Sequence, residues 1–161
     1  MNLEERMICI KKATEEDAKD IIKCKIDAFK EEVNLYGFGP RGYDSLEELI
    51  ELIKEGIYFK ILDSEKIIGG IRVRDNGDGQ YWIGAIYIYS INQNKGVGTK
   101  AMNLLFSEFK DSKKWYLETP YLSFRNHHFY EKMGFIKFGE TKHDVKNNGF
   151  HLFKYEKIIS L

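Results

Sequence analysis

The stretch from Tyr81 to Thr119 constrains the fold of this chain more than any other. Tyr81-Trp82-Ile83-Gly84-Ala85-Ile86-Tyr87-Ile88-Tyr89 is β-branched and aromatic and reads as a strand. Lys100 to Phe109 carries apolar residues at helical spacing, and Lys114–Thr119 is again a strand. Strand, helix and strand in succession need a crossover, so the two strands are expected as parallel neighbours. Between the first strand and the helix lies Gln93-Asn94-Lys95-Gly96-Val97-Gly98-Thr99. A glycine turn from strand into helix points backbone N–H groups outward, at the positive end of the helix dipole, where an anion binds well. Side chains at Gly96 and Gly98 would keep a phosphate from that backbone. The turn therefore either holds a pyrophosphate or simply caps the strand–helix corner. The dinucleotide pattern G-x-G-x-x-G and the Lys-Ser/Thr ending of a P-loop are both absent.

The remaining pattern completes a mixed sheet. Met7 to Lys12 reads as an opening strand. Thr14 then caps a helix, with Asp17 three residues on and Ile21, Ile22, Ile26 and Phe29 on its apolar face. Tyr36 to Tyr43 is expected as a flexible aromatic loop, and Ser45, with Glu48 at the capping-box position, opens a helix to Lys54. Strands Ile57–Leu62 and Lys66–Arg74 flank a tight turn, helix Arg125–Met133 follows the Lys114–Thr119 strand, and strands near Phe135–Thr141 and Phe150–Ile158 close the chain. The expected order is β-α-α-β-β-β-α-β-α-β-β: an α/β (α+β) fold whose mostly antiparallel sheet has about seven strands flanked by about four helices.

At 161 residues without a linker or repeat, the chain is expected to form one domain, 1–161. Its 25 basic and 25 acidic residues cancel, which argues against nucleic acid as a partner, because phosphate contacts require excess Lys and Arg. No apolar run approaches the roughly 20 residues of a membrane span, and no signal-peptide core is seen, so a cytoplasmic protein is expected. Cys9 and Cys24 read as buried free thiols. No metal is expected. Asp75-Asn76-Gly77-Asp78-Gly79 faintly resembles a calcium loop, but Ile86 stands at its twelfth position. His127 and His128 are adjacent on a helix and point about 100° apart, so they do not clasp one ion.

Three features resemble the GNAT N-acetyltransferase superfamily. The glycine turn matches its acetyl-CoA pyrophosphate loop, Q/R-x-x-G-x-G/A; the element order matches its fold; and Tyr130-Glu131-Lys132-Met133-Gly134-Phe135 is similar to its helix ending Y-E-K-x-G-F. The resemblance covers Tyr81 to Phe135 well and the N-terminal half by topology. It implies an N-acetyltransferase that moves an acetyl group directly from acetyl-CoA, its co-substrate, to a primary amine of a small molecule or a peptide. It further implies that Gln93, Asn94, Lys95, Gly96, Val97, Gly98 and Thr99 hold the pyrophosphate and that the backbone of Ile86, Tyr87 and Ile88 lies along the pantetheine arm. Lys95 adds charge attraction or is simply solvated.

An amine nucleophile must lose a proton, the departing thiolate must gain one, and the thioester oxygen needs N–H donors between those events. By resemblance Tyr130 is the acid that protonates the thiolate; the other reading is a core tyrosine bonded to a carbonyl. Glu118, twelve residues before Tyr130, matches the spacing of a Glu–Tyr pair in relatives that acetylate protein N-termini, and is the candidate base. Two positions depart from the family habit. Ser123 stands where many members have asparagine, with Asn126 as a substitute for that cofactor contact, and Ser90 stands where many have proline.

The acceptor region implied by the resemblance holds Tyr36, Phe38, Arg41, Tyr43 and Asp44, with Tyr87, Tyr89, Tyr121 and Phe124 opposite. A homodimer is implied by family habit. The alternative function is a catalytically silent acyl-CoA-binding or sensing module with the same fold; a nucleotide-binding domain is a third.

Overall fold

A computed structural model describes residues 6–160. In chain order it contains β1 (Ile8–Lys12), α1 (Ala18–Ala28), α2 (Lys30–Tyr36), α3 (Leu46–Glu55), β2 (Ile57–Asp63), β3 (Lys66–Asp75), β4 (Gln80–Ile88), α4 (Val97–Glu108), β5 (Lys114–Pro120), α5 (Phe124–Lys132), β6 (Ile136–Glu140) and β7 (Leu152–Ile158). The strands form a seven-stranded sheet in the order β1-β2-β3-β4-β5-β7-β6. The β4–β5 pair is parallel, as the crossover requires, while β1–β2, β2–β3, β5–β7 and β6–β7 are antiparallel. The expected fold class holds in its strand count and mixed character.

One helix more is present than the pattern suggested. The expected helix from Thr14 to Phe29 runs on past Phe29 as a second segment, α2. The break is at Phe29 itself, whose φ of −96° and ψ of 5° close α1 and open α2, with its ring against Tyr87 at 5.7 Å between centroids. Thr14 does not cap α1 directly. It heads a 3-10 turn, Glu15–Asp17, in which the Asp17 carboxylate accepts from the Thr14 amide at 2.8 Å. Ser45 caps α3 as expected, its Oγ accepting from the Glu48 amide at 3.2 Å.

The described chain falls into two compact units. One comprises the residues up to Val73 with Ala85–Lys110, and the other Arg74–Gly84 with the residues from Asp111 on. In the first, Ala18, Ile21 and Cys24 of α1 and Leu49, Leu52 and Ile53 of α3 bury their apolar stripes against Tyr58 and Tyr87. Tyr58 and Phe59 point to opposite faces of β2, and Phe59 meets Phe109, just beyond α4, edge-on at 6.1 Å. In the second unit Trp115 is fully buried and stacks on Tyr81 at 5.0 Å, while α5 lays His127 and Tyr130 on Phe153 and Tyr155 of β7. No helix among the described residues is long and apolar enough to cross a membrane.

Candidate functional site

The glycine turn is built as its composition suggested. After β4 a short 3-10 turn, Ser90–Asn92, leads to Gln93, and α4 begins at Val97. Gly96 is the N-cap in the left-handed region at φ 77°, and Asn94 also has a positive φ of 60°. Only glycine occupies such a cap without Cβ strain. Gly98 and Thr99 lie inside the first helical turn, where backbone N–H groups have no intrahelical acceptor. Asn94, Lys95 and Gly96 are exposed, whereas Val97 is buried and anchors the turn. The Gln93 side chain folds back, its Nε2 donating to the Ile88 carbonyl at 2.8 Å; its polar end thus ties the turn to the last residue of β4.

Ser90 gains a role that a proline could not fill. Its amide and its Oγ donate to the Asp27 carboxylate at 2.7 and 3.1 Å, fastening the end of α1 to the start of the loop. In β4, Tyr87 is buried and its hydroxyl bonds that of Tyr58. Its side chain thus serves the core, and of the neighbouring peptide groups the Ile88 carbonyl is engaged by Gln93. A Cβ at Gly69 of β3 would run into the Tyr87 carbonyl, so the glycine permits the close approach of these strands. The parallel β4–β5 ladder runs from Gln80 with Lys114 to Ile83 with Leu117; β4 goes on to Ile88 and β5 to Pro120.

Beside Tyr87 lies a buried cation that the sequence did not announce. Lys25 of α1 is 1% exposed, sits over the Tyr87 ring at 5.6 Å and donates to the Arg41 carbonyl at 3.1 Å. Burial, helped by repulsion from Arg72, lowers its pKa to about 8. Burial likewise pushes the Cys24 thiol and the Tyr58 phenol up to about 12. Cys9 is only half-buried, so of the two free thiols expected in the core Cys24 alone is fully enclosed. Lys25 ties down the loop expected to be flexible. That loop is further packed by Tyr43, whose ring leaves no room for a Cβ at Gly39. Tyr36 and Phe38 pair at 6.4 Å, and the Arg41 side chain reaches Glu51 and Glu55 at 3.9 and 3.6 Å. A cleft of about 600 Å³ in this unit, lined by Asp17, Asp20, Lys23, Lys60 and Tyr89 among others, shares Tyr89 alone with the residues expected in the site.

The second unit holds the acid–base candidates. Tyr130 is 8% exposed on α5, with Phe129, Phe135 and Tyr155 around its ring. Glu118 is exposed on β5, in register with Lys154 of β7. It lines a basin of about 320 Å³ together with Arg74, Trp82, Tyr116, Phe138 and Lys154. These neighbours were not singled out from the sequence; strand alternation puts Tyr116 on the same face as Glu118, but the cations come from other strands. The Asn126 amide donates to Thr119 Oγ1 at 3.3 Å. His127 is buried and stacked on Phe153 at 4.6 Å, with Nε2 at the Pro120 carbonyl, 2.9 Å away; it is a packing residue, while His128 is exposed.

A model of the acetyltransferase (GNAT) family matches residues 25–135. The chain belongs to the GNAT family of acetyltransferases. No curated protein matches it in sequence. Among solved structures it is similar to the PaiA N-acetyltransferase of Thermoplasma acidophilum in complex with coenzyme A, with a TM-score of 0.74, 17% identity and coverage of 94% of this chain and 98% of that one. An acetyltransferase from Thermus thermophilus gives 0.75 at 14% identity, covering 94% and 97%. The ribosomal-protein-S18-alanine N-acetyltransferase from Escherichia coli gives 0.71 at 15% identity, covering 96% of each chain. At these identities the structures share the GNAT fold with this chain. The family makes the chain an acyltransferase, and its glycine turn falls inside the matched segment.

Proposed function

We propose that the chain, as one domain, transfers an acetyl group from acetyl-CoA to a primary amine of a small molecule or a peptide, in the cytoplasm and without a metal in the reaction. The observation that carries this is Gly96 at the head of α4. A left-handed glycine cap followed by Gly98 in the first turn leaves the helix N-terminus open to phosphate oxygens. The amides from Asn94 to Thr99 bind the pyrophosphate, with Gln93 fastening the loop. The peptide groups of Ile86, Tyr87 and Ile88 pair with the pantetheine arm, and Asn126 adds a side-chain contact to the cofactor.

In the ternary complex Glu118 takes a proton from the ammonium of the acceptor. The free amine attacks the thioester carbon, the N–C bond forms, and the carbonyl electrons move to oxygen, where N–H donors hold the charge. The carbonyl then re-forms, the C–S bond breaks and the thiolate takes the Tyr130 hydroxyl proton, while the nitrogen gives up its second proton through water and so restores the phenol, leaving a neutral amide and the coenzyme A thiol. No acyl-enzyme forms, because the amine attacks the thioester directly. Trp82, Tyr116 and Phe138 beside Glu118 give an amine-bearing acceptor aromatic walls. Titration calorimetry tests the donor: acetyl-CoA should bind at a single site and be displaced by coenzyme A, with no heat from ATP or NAD. Binding of ATP or NAD in place of acetyl-CoA would make the chain a nucleotide-binding domain.

A further inference from the structure

We propose that Glu140, His143 and His151, in and beside the loop joining β6 to β7, form a zinc-binding site. One ligand atom from each lies within 4.8 Å of the other two. The loop is a built structure. Asp144 pairs with Phe150, its carboxylate accepts from the Lys146 amide and Asn147 Nδ2 at 3.1 and 2.7 Å, and Asn148 and Gly149 turn the chain at positive φ. The Thr141 hydroxyl accepts from the Leu152 amide at 2.8 Å and closes the base.

His151 carries the argument. It is buried, its ring lies 4.3 Å from that of Tyr121, and its Nδ1 stands 2.8 Å from the Gly149 carbonyl. A carbonyl only accepts, so Nδ1 bears a proton, and whenever the ring is neutral its lone pair is on Nε2. Nε2 lies 3.4 Å from Glu140 Oε1. Two acceptors facing each other need a proton or a cation between them, and an Nδ1–H held by a backbone carbonyl is the arrangement that orients metal-ligating histidines. The spacing of 3.4 Å also equals that of two ligands about 2.1 Å from one tetrahedral ion.

His143 completes the set. It is exposed and stacks on His151 at 3.7 Å with planes 15° apart. Parallel imidazoles cannot aim lone pairs at one ion, so His143 turns about its side-chain bonds on binding, which its exposure allows. Lys137 Nζ, now 3.2 Å from Glu140 Oε1, is the cation the metal displaces. Two imidazoles and a carboxylate with water completing the tetrahedron are a set that suits zinc, and cobalt(II) as its spectroscopic stand-in.

The test is titration of metal-free protein with zinc chloride by calorimetry and with cobalt(II) by visible absorption. A single equivalent of zinc should bind, cobalt should give the intense bands of a tetrahedral site, and zinc should bleach them. His143→Ala, at an exposed position that keeps the fold, should weaken zinc by more than the roughly 10-fold that loss of even an outer-shell partner costs; His128→Ala should bind as the parent does. No binding to the parent protein means that protonated His151 merely pairs with Glu140, and affinity unchanged in His143→Ala places the ion elsewhere. Either result overturns the proposal.

Discussion

Lys25 holds its ammonium where water cannot reach it, against a tyrosine ring and one backbone carbonyl. Because its folded pKa is lowered to about 8 from the ordinary value of 10.5, the folded state sheds this proton before the unfolded state does. The Lys25 contribution to stability therefore rises as pH climbs from about 8 toward 10, while the buried Cys24 thiol and Tyr58 phenol, which stay protonated in the folded chain, oppose it once their unfolded counterparts ionise. Below pH 8 the folded protein carries the buried charge at a cost on the order of 3 kcal/mol. In Lys25→Met that contribution should vanish, so the wild-type urea midpoint should gain on the variant's as pH climbs through this range; parallel curves for the two proteins would contradict it. Tyr130 and Glu118 are tested by rate. Tyr130→Phe and Glu118→Gln should each lower kcat by about 100-fold or more, with acetyl-CoA affinity little changed. Wild-type turnover in both variants would remove their catalytic roles and leave the family assignment standing. Both residues were readable from a motif and a spacing, but the cations and aromatic rings around Glu118 were not. Arg74, Trp82 and Lys154 reach that basin only through strand pairing, which no local pattern contains.

At the level of the element, the corner from β4 into α4 was the most legible part of the chain, because Gly96 is needed for its conformation and the proposed pyrophosphate site calls for both Gly96 and Gly98. The two needs can be separated. Gly96 has φ 77°, so Gly96→Val should cost roughly 1–2 kcal/mol in strain besides losing acetyl-CoA. Gly98 is helical, so Gly98→Ala should keep the melting temperature or raise it, alanine being the better helix former. Its methyl group nevertheless occupies phosphate space, and acetyl-CoA should bind about 10-fold weaker or worse, a loss of about 1.4 kcal/mol. Melting with and without acetyl-CoA reads both effects; full protection of Gly98→Ala by acetyl-CoA would mean that the phosphates sit elsewhere. The clamp of Asp27 on Ser90 was not legible. It joins residues 63 positions apart, and only the packing of α1 brings them together. The division of the first helix at Phe29 is not legible either: the charged run Lys30-Glu31-Glu32 continues a helical pattern, and the break falls where the Phe29 ring meets Tyr87.

For the whole molecule, the strand count and the parallel β4–β5 pair followed from the order of elements and the crossover rule. The insertion of β7 between β5 and β6 did not, since a terminal hairpin can join a sheet by either strand. The Glu140–His143–His151 cluster depends on that hairpin and is equally hidden; among the histidines the sequence pattern points to the adjacent pair His127–His128, which the fold separates into one packed ring and one exposed one. What the molecule does with its cofactor separates an enzyme from a silent acyl-CoA-binding module. The direct measurement is coenzyme A thiol release from acetyl-CoA over a panel of primary amines and peptides with free N-termini. The proposed acetyl transfer requires release that depends on an acceptor, rises with its concentration and is matched mole for mole by acetylated amine. Acetyl-CoA that binds tightly yet yields no acceptor-dependent thiol anywhere on the panel would contradict it.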